Sequence, residues 1–212
     1  MSPANPPTII RNAKDDEYGS LGRFHASVFA SDPMIQLLSS KVDPEEKVQR
    51  IWIRGAKTAV AKGHDTMLVT ERTDSAETIG LAWYTKVNQD NPPTYQKTFA
   101  KGLNVVEYEK KEKRVYEWKQ GLLSKYGEYL SLHELVVAPS YQSQGVGKTM
   151  LLKLIAYAKE QGLNVVVTAT SGSIGFYEKF GFKEVVPSIS LAGGIRNTNM
   201  MLLELFKPAP EA

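Results

Sequence analysis

The stretch YQSQGVGKTM, from Tyr141 to Met150, looks at first sight like the end of a nucleotide-binding P-loop. That motif, G-x-x-x-x-G-K-[ST], needs its first glycine so that the backbone can wrap the phosphates, and here the position is Gln142. No strand ending in a Walker-B aspartate follows. A dinucleotide-binding G-x-G-x-x-G fails as well, because Gly145 and Gly147 are followed at the third position by Met150. What remains is Gln142-x-x-Gly145-x-Gly147 at the mouth of a helix. Two glycines let a ligand approach the main chain, and several N–H groups face outward where the helix dipole places about half a positive charge. A diphosphate fits that cradle without a metal ion.

The flanks support a strand–turn–helix. Residues 128–137 (EYLSLHELVV) form an apolar strand that runs through Ala138, Pro139 and Ser140 into the turn. Downstream, Val146, Met150, Leu154 and Ala158 recur at helical steps over 145–161, and Gly162 closes the helix. A buried strand over 164–168 (NVVVT), a short helix over 171–180 and strands over 181–186 and 199–206 follow. Upstream, a short strand over 8–11 precedes a helix within 15–30. Asp32-Pro33 opens a helix over MIQLLSS, and Asp43-Pro44 opens another reaching about Lys62. Val48, Ile51, Trp52, Ala56, Ala59 and Val60 form the apolar stripe of that third helix, which Gly63 stops. Strands are expected over 66–71 and 78–87. Residues 88–128 differ in character: a polar loop, then a charged helix over 105–123, the pattern of an insertion that can act as a lid. The order predicts an α/β fold with a mixed sheet.

Composition narrows the function classes. The chain has 212 residues, 42% hydrophobic and 23% charged, as expected for one soluble globular domain over 8–206, with a flexible tip at 1–7 and a frayed tail at 207–212. A balance of 26 basic against 23 acidic residues is too even for a nucleic-acid or anionic-membrane footprint. With no cysteine there is no disulfide, thiolate metal site or cysteine nucleophile. No signal peptide or membrane-spanning run is apparent. The expectation is a cytoplasmic protein, the nucleus left open, with neither nucleic acid nor membrane as partner.

A second segment gives the turn its context. Residues 170–182 read TSGSIGFYEKFGF. With Gln142, Gly145 and Gly147 on the fixed positions of [Q/R]-x-x-G-x-[G/A], and Tyr177, Gly181 and Phe182 on those of N-x-x-A-x-x-x-Y-x-x-x-G-F one strand later, the chain resembles the GNAT family of N-acetyltransferases. Thr170 stands where that family has asparagine, and Ser173 where it has alanine. The two motifs cover about residues 129–186, and element order extends the likeness more loosely beyond them. The resemblance implies a GNAT-type mixed, mostly antiparallel sheet of six to seven strands flanked by helices, with a helical insertion before the first-motif strand. It implies acetyl-CoA as cosubstrate, no metal, and a cofactor site built from Leu135, Val136, Val137, Gln142, Ser143, Gln144, Gly145, Val146, Gly147, Lys148, Thr149, Thr170, Ser173, Phe176 and Tyr177.

The chemistry implied is attack of an amine on a thioester. A primary ammonium titrates near pH 10.4, so freeing it at pH 7 costs about 4.6 kcal/mol, and a general base helps. His133 and Glu134 on the 128–137 strand are both candidates. In some family members a histidine at the spacing of His133 takes the proton, and its ordinary pKa near 6.5 suits the task. Strand alternation places the two on opposite faces unless a bulge intervenes. The resemblance assigns Tyr177 as general acid to the departing thiolate, and main-chain donors near Val136 and Val137 to the thioester oxygen. His25 and His64 lie in unrelated contexts and read as ordinary. Trp52, Trp83, Tyr84, Tyr95 and Trp118 are candidate walls for the acceptor. A small-molecule amine is the favoured acceptor; protein lysines or N-termini, or a CoA-binding module without turnover, are the alternatives.

Overall fold

Seven apolar runs pair into one sheet, and the Gln142–Gly147 turn leaves from its middle strand. The computed structural model describes residues 7–33, 36–37, 41–95, 104–186 and 199–207. The strands are β1 (Thr8–Asn12), β2 (Asp65–Arg72), β3 (Thr78–Val87), β4 (Tyr129–Val137), β5 (Asn164–Ala169), β6 (Lys183–Val186) and β7 (Asn199–Leu203). Their order is β1-β2-β3-β4-β5-β7-β6, as the mixed-sheet expectation required. β4 and β5 are parallel, from Tyr129↔Asn164 to Leu132↔Val167. β1 pairs β2, and β7 pairs both β5 and β6, antiparallel.

The helices are α1 (Tyr18–Val28), α2 (Pro44–Lys47), α3 (Lys57–Ala61), α4 (Val105–Tyr126), α5 (Val146–Glu160) and α6 (Ile174–Glu178). Between α2 and α3 the chain runs as a π-helix over Val48–Ala56, where sequence periodicity predicts an ordinary α-helix. Val48, Trp52 and Ala56 are buried as expected. Burial at four-residue steps reports which side faces inward, not whether the backbone bonds run to i+4 or i+5. Of the helix expected from Pro33 through MIQLLSS, Pro33, Gln36 and Leu37 are described and are helical, and the rest, with the tip at 1–6 and the tail at 208–212, falls outside the described residues.

The chain sorts into two compact units. The first comprises residues 1–30, 44–84 and 133–156. Its core gathers Tyr18 and Leu21 from α1, Trp52 and Ala56 from the π-helix, Met67 and Val69 from β2, Leu81 from β3 and Val136 from β4. The Arg11 guanidinium locks β1 to its surroundings, donating to Glu17 Oε1 at 2.6 Å and to a Glu71 carboxylate oxygen on β2. Both carboxyls are held below the usual carboxylate range, chiefly by those hydrogen bonds. Gly80 lets α5 settle on β3: a Cβ there would lie 2.9 Å from Met150 Sδ and 3.2 Å from Val146 Cγ1.

The second unit comprises residues 31–43, 85–132 and 157–212. α4, the inserted helix, is N-capped by Asn104 and runs three residues beyond the expected Leu123. Although charged on most faces, it buries Leu122 and Leu123 against Val87, Tyr129, Val166 and Leu202. The Tyr129 hydroxyl donates to Lys119 O at 3.0 Å, fastening β4 to the helix, and burial raises that phenol's pKa above the ordinary value. β7 ends at Leu203, not at the expected Phe206. The reason is Asn164, whose Oδ1 accepts from Leu205 N at 2.7 Å and Phe206 N at 2.8 Å, and whose Nδ2 donates to Phe206 O at 2.9 Å. A buried side chain takes over the ladder there.

Candidate active site

The turn after β4 is shaped by its backbone. Ala138 N–H donates to Ile79 O at 2.9 Å, holding the strand's end on β3, and Pro139–Tyr141 make one 3-10 turn. Tyr141 is clasped: its hydroxyl donates to Glu77 Oε2 at 2.7 Å and accepts from Arg72 Nη1 at 3.0 Å. Gln142 is extended, φ −66° and ψ 156°, a conformation open to any residue. A non-glycine at the first P-loop position is therefore no strain here, because this loop bends elsewhere. Its side chain turns back, Nε2 donating to Val137 O at 3.1 Å, and Gln144 Nε2 donates to Ser140 O at 2.7 Å.

The bends come at Ser143, φ +60°, and Gly145, φ +85°. Glycine takes that region freely, whereas serine is strained there. α5 starts at Val146, and its first backbone bond runs from Thr149 N–H to Gly145 O at 2.9 Å. The N–H groups of Val146, Gly147 and Lys148 thus precede the first intrahelical bond and stand at the positive end of the dipole. Thr149 Oγ1 is engaged with the same carbonyl at 3.1 Å, so its hydroxyl serves the helix start. The Lys148 side chain is exposed.

In the same unit the two candidate bases meet one cluster. The His133 ring lies 5.4 Å from Trp83, Trp83 lies 5.7 Å from Trp52, and Trp52 lies 5.2 Å from His25. His25 Nε2 closes the circuit, 3.3 Å from Glu134 Oε2. Neighbours on an ideal strand would face apart, yet both reach this cluster. Reading His25 as ordinary is therefore corrected: α1 carries it onto the carboxylate of β4, a juxtaposition that no local pattern encodes. His133 is exposed and Glu134 half-buried. Trp83 Nε1 donates to Asp65 Oδ2 at 2.7 Å, fixing the indole. Of the candidate wall residues, Trp52 and Tyr84 are core, and Trp83 is half-buried. Val136 is buried in the core, whereas Leu135 and Val137 are half-buried.

In the second unit the Thr170–Phe182 segment is ordered by its own contacts. Ser173 N donates to Thr170 O at 2.9 Å, Ser173 Oγ reaches the same oxygen at 3.0 Å, and the two hydroxyls lie 3.1 Å apart. The two departures from the family pattern thus form a matched pair. Tyr177 is buried, edge-on to Phe176 at 5.2 Å and to Phe182 at 5.4 Å. Gly181, φ +87°, turns the chain so that Phe182 enters the core. The Tyr95 and Trp118 rings also belong to this unit, Tyr95 against Tyr116 at 5.9 Å and Trp118 against the α4 cluster.

The chain resembles known proteins in both sequence and fold. It is 34% identical over 61 residues to an uncharacterized N-acetyltransferase of Methanocaldococcus jannaschii, 27% of each chain. It is 34% identical over 53 residues to glucosamine 6-phosphate N-acetyltransferase of Trypanosoma brucei brucei, 24% of this chain and 36% of that enzyme. The match therefore spans about a quarter to a third of the length of these curated relatives. Among solved structures, mosquito arylalkylamine N-acetyltransferase like 5b superposes with TM-score 0.65 at 15% identity, over 92% of this chain and 97% of that one. An acetyltransferase of Corynebacterium glutamicum, described as histone acetyltransferase HPA2 and related, gives TM-score 0.62 at 15% identity, over 97% and 98%. At that identity these two likenesses speak for the fold alone. The model of the acetyltransferase (GNAT) family matches residues 38–182, taking in the turn after β4 and the Tyr177 segment together, and the chain belongs to that family.

Proposed function

We propose that the protein is an acetyl-CoA-dependent N-acetyltransferase acting on the primary amine of a small molecule. The observation that carries this reading is the start of α5, where the bends at Ser143 and Gly145 leave three consecutive N–H groups ahead of the first intrahelical bond. Main-chain donors at a helix N-terminus suit a diphosphate.

Bound there, acetyl-CoA supplies an activated thioester carbonyl. The protein's own groups handle the protons. An amine reaches the carbonyl only as the free base, and His133 or Glu134 accepts its proton. His25, at 3.3 Å from Glu134, steadies that carboxylate, and Trp83 packs against the His133 ring. As the new C–N bond forms and the C–S bond breaks, the Tyr177 phenol donates to sulfur. An ordinary phenol near pKa 10 and a thiol near 8.5 make full transfer uphill by about 2 kcal/mol, so strengthening hydrogen bonding carries part of the role.

Thermal unfolding with added ligand tests the reading. Acetyl-CoA at about 100 times its Kd adds about 2.7 kcal/mol, a rise of roughly 5–10 °C for a chain of this size. Mg-ATP leaves Tm unchanged. A rise with Mg-ATP and none with acetyl-CoA overturns the proposal. An amine and peptide screen reporting released CoA then assigns the acceptor, and turnover on peptides alone would exclude the small-molecule reading.

A further inference from the structure

Asn199 opens β7, is 3% exposed, and its Nδ2 has no hydrogen-bond partner among the described residues. A buried donor left unpaired is unfavourable, and most such groups in folded proteins are satisfied. Its surroundings indicate what the donor serves. Asn199 sits opposite Ala169, the last residue of β5, so the chain leaves the sheet at Thr170 beside it. Directly opposed residues of antiparallel strands share a face, and so do alternate residues along a strand. Asn199 therefore shares a face with Met201 and Leu203. The position of a Cβ on Gly181 lies 3.4 Å from Leu203 Cδ1, so the segment that starts at Thr170 returns to this same face at Gly181. Tyr177 lies on that segment. The hydroxyls of Thr170 and Ser173 are engaged with one another, whereas Asn199 Nδ2 has no partner among the described residues.

We propose that Asn199 is a positioning residue for the acyl carrier, donating from Nδ2 to an amide carbonyl of its pantetheine arm. The inference rests on the acetyl-CoA reading above. A neutral carboxamide donor in a buried setting complements a neutral carbonyl; a diphosphate calls for helix N–H groups or cations instead. The arm carries two amides, and a buried amide acceptor matched to a buried orphan donor satisfies both at once.

The test compares wild type with Asn199→Leu, which keeps the branching of the side chain and removes the donor, by titration calorimetry against CoA and against adenosine 3′-phosphate 5′-diphosphate, which has the phosphates and lacks the arm. We expect Asn199→Leu to bind CoA roughly tenfold more weakly, to bind the diphosphate as wild type does, and to melt at a higher temperature when free. Unchanged affinity for CoA, or an equal loss for both ligands, overturns the inference while leaving the acetyl-CoA reading intact. Wild-type protein that binds neither ligand overturns both. Should Asn199→Leu fail to fold, Asn199→Ala carries the same comparison of ligands.

Discussion

Two glycine-to-alanine substitutions isolate the conformation of the turn that decides the site. A Cβ added at Gly145 or at Gly121 would meet nothing within 4 Å, so neither change creates a clash. They differ only in backbone. Gly145 has φ +85°, whereas Gly121 lies inside α4. Holding an L-residue in the left-handed region costs about 1–2 kcal/mol, and the stiffer unfolded chain returns about 0.4–1. Gly145→Ala is thus expected to destabilise by up to about 1.6 kcal/mol, about 0.8 at mid-range. Gly121→Ala, which replaces an exposed helical glycine, is expected to stabilise by about 0.5–1 kcal/mol. The same added methyl therefore acts with opposite sign. Urea unfolding at pH 7 reads both, as shifts in midpoint at constant slope; by heat, the two variants should melt several degrees apart. A Gly145→Ala protein stabilised as much as Gly121→Ala would refute the left-handed bend, and with it the exposure of the amides at the start of α5.

The Arg11 lock gives a pH dependence of definite sign. Glu17 and Glu71 have folded pKa values below their unfolded ones, so their contribution is present above the ordinary carboxylate pKa and is lost as pH falls through the depressed values. The gap in urea midpoint between wild type and Arg11→Met should therefore be wide at pH 7 and narrow below about pH 4; a constant gap contradicts the lock. Asn164→Ala removes three hydrogen bonds to Leu205 and Phe206 and should cost about 2–4 kcal/mol in chemical unfolding; a loss below about 0.5 kcal/mol would mean water replaces the side chain. Tyr177→Phe should lower kcat well beyond any change in acetyl-CoA affinity; equal turnover removes the phenol from the chemistry. His133→Ala and Glu134→Gln, assayed across pH, should differ, with only one losing the fall of kcat/KM toward acid pH that protonation of the base imposes, and an unchanged profile in both puts the base elsewhere.

How far the fold was legible follows from the range of the interactions involved. β3 begins and ends where alternation and turn residues place it, at Thr78 and Val87, and α5 runs within a residue of its expected span. Apolar period, caps and glycines are local, and they read correctly wherever local preference and tertiary packing agree. The two motifs were legible for the same reason. Gln142, Gly145 and Gly147 lie within one turn, and Tyr177, Gly181 and Phe182 within one short segment. Where the sequence misled, a long-range partner intervened. β7 stops at Leu203 because Asn164, on the neighbouring strand, binds the backbone amides of Leu205 and Phe206. A π-helix replaces the α-helix; Val48, Trp52 and Ala56 of the expected stripe are buried, whereas Ile51 is exposed and Ala59 and Val60 are half-buried.

The candidate site divides along the same line. Sequence alone determined the glycine turn after β4, its lack of a P-loop wrap, the second motif and the family, since each depends on residue types at short spacing. Only the tertiary structure decided that His25 stands against Glu134, that His133 and Glu134 reach one aromatic cluster through Trp83 and Trp52, and that Asn199 lies beside Thr170. Those are contacts between elements distant along the chain. Strand order and pairing register create them, and a register is the outcome of the whole packed sheet, which no single stretch of residues contains.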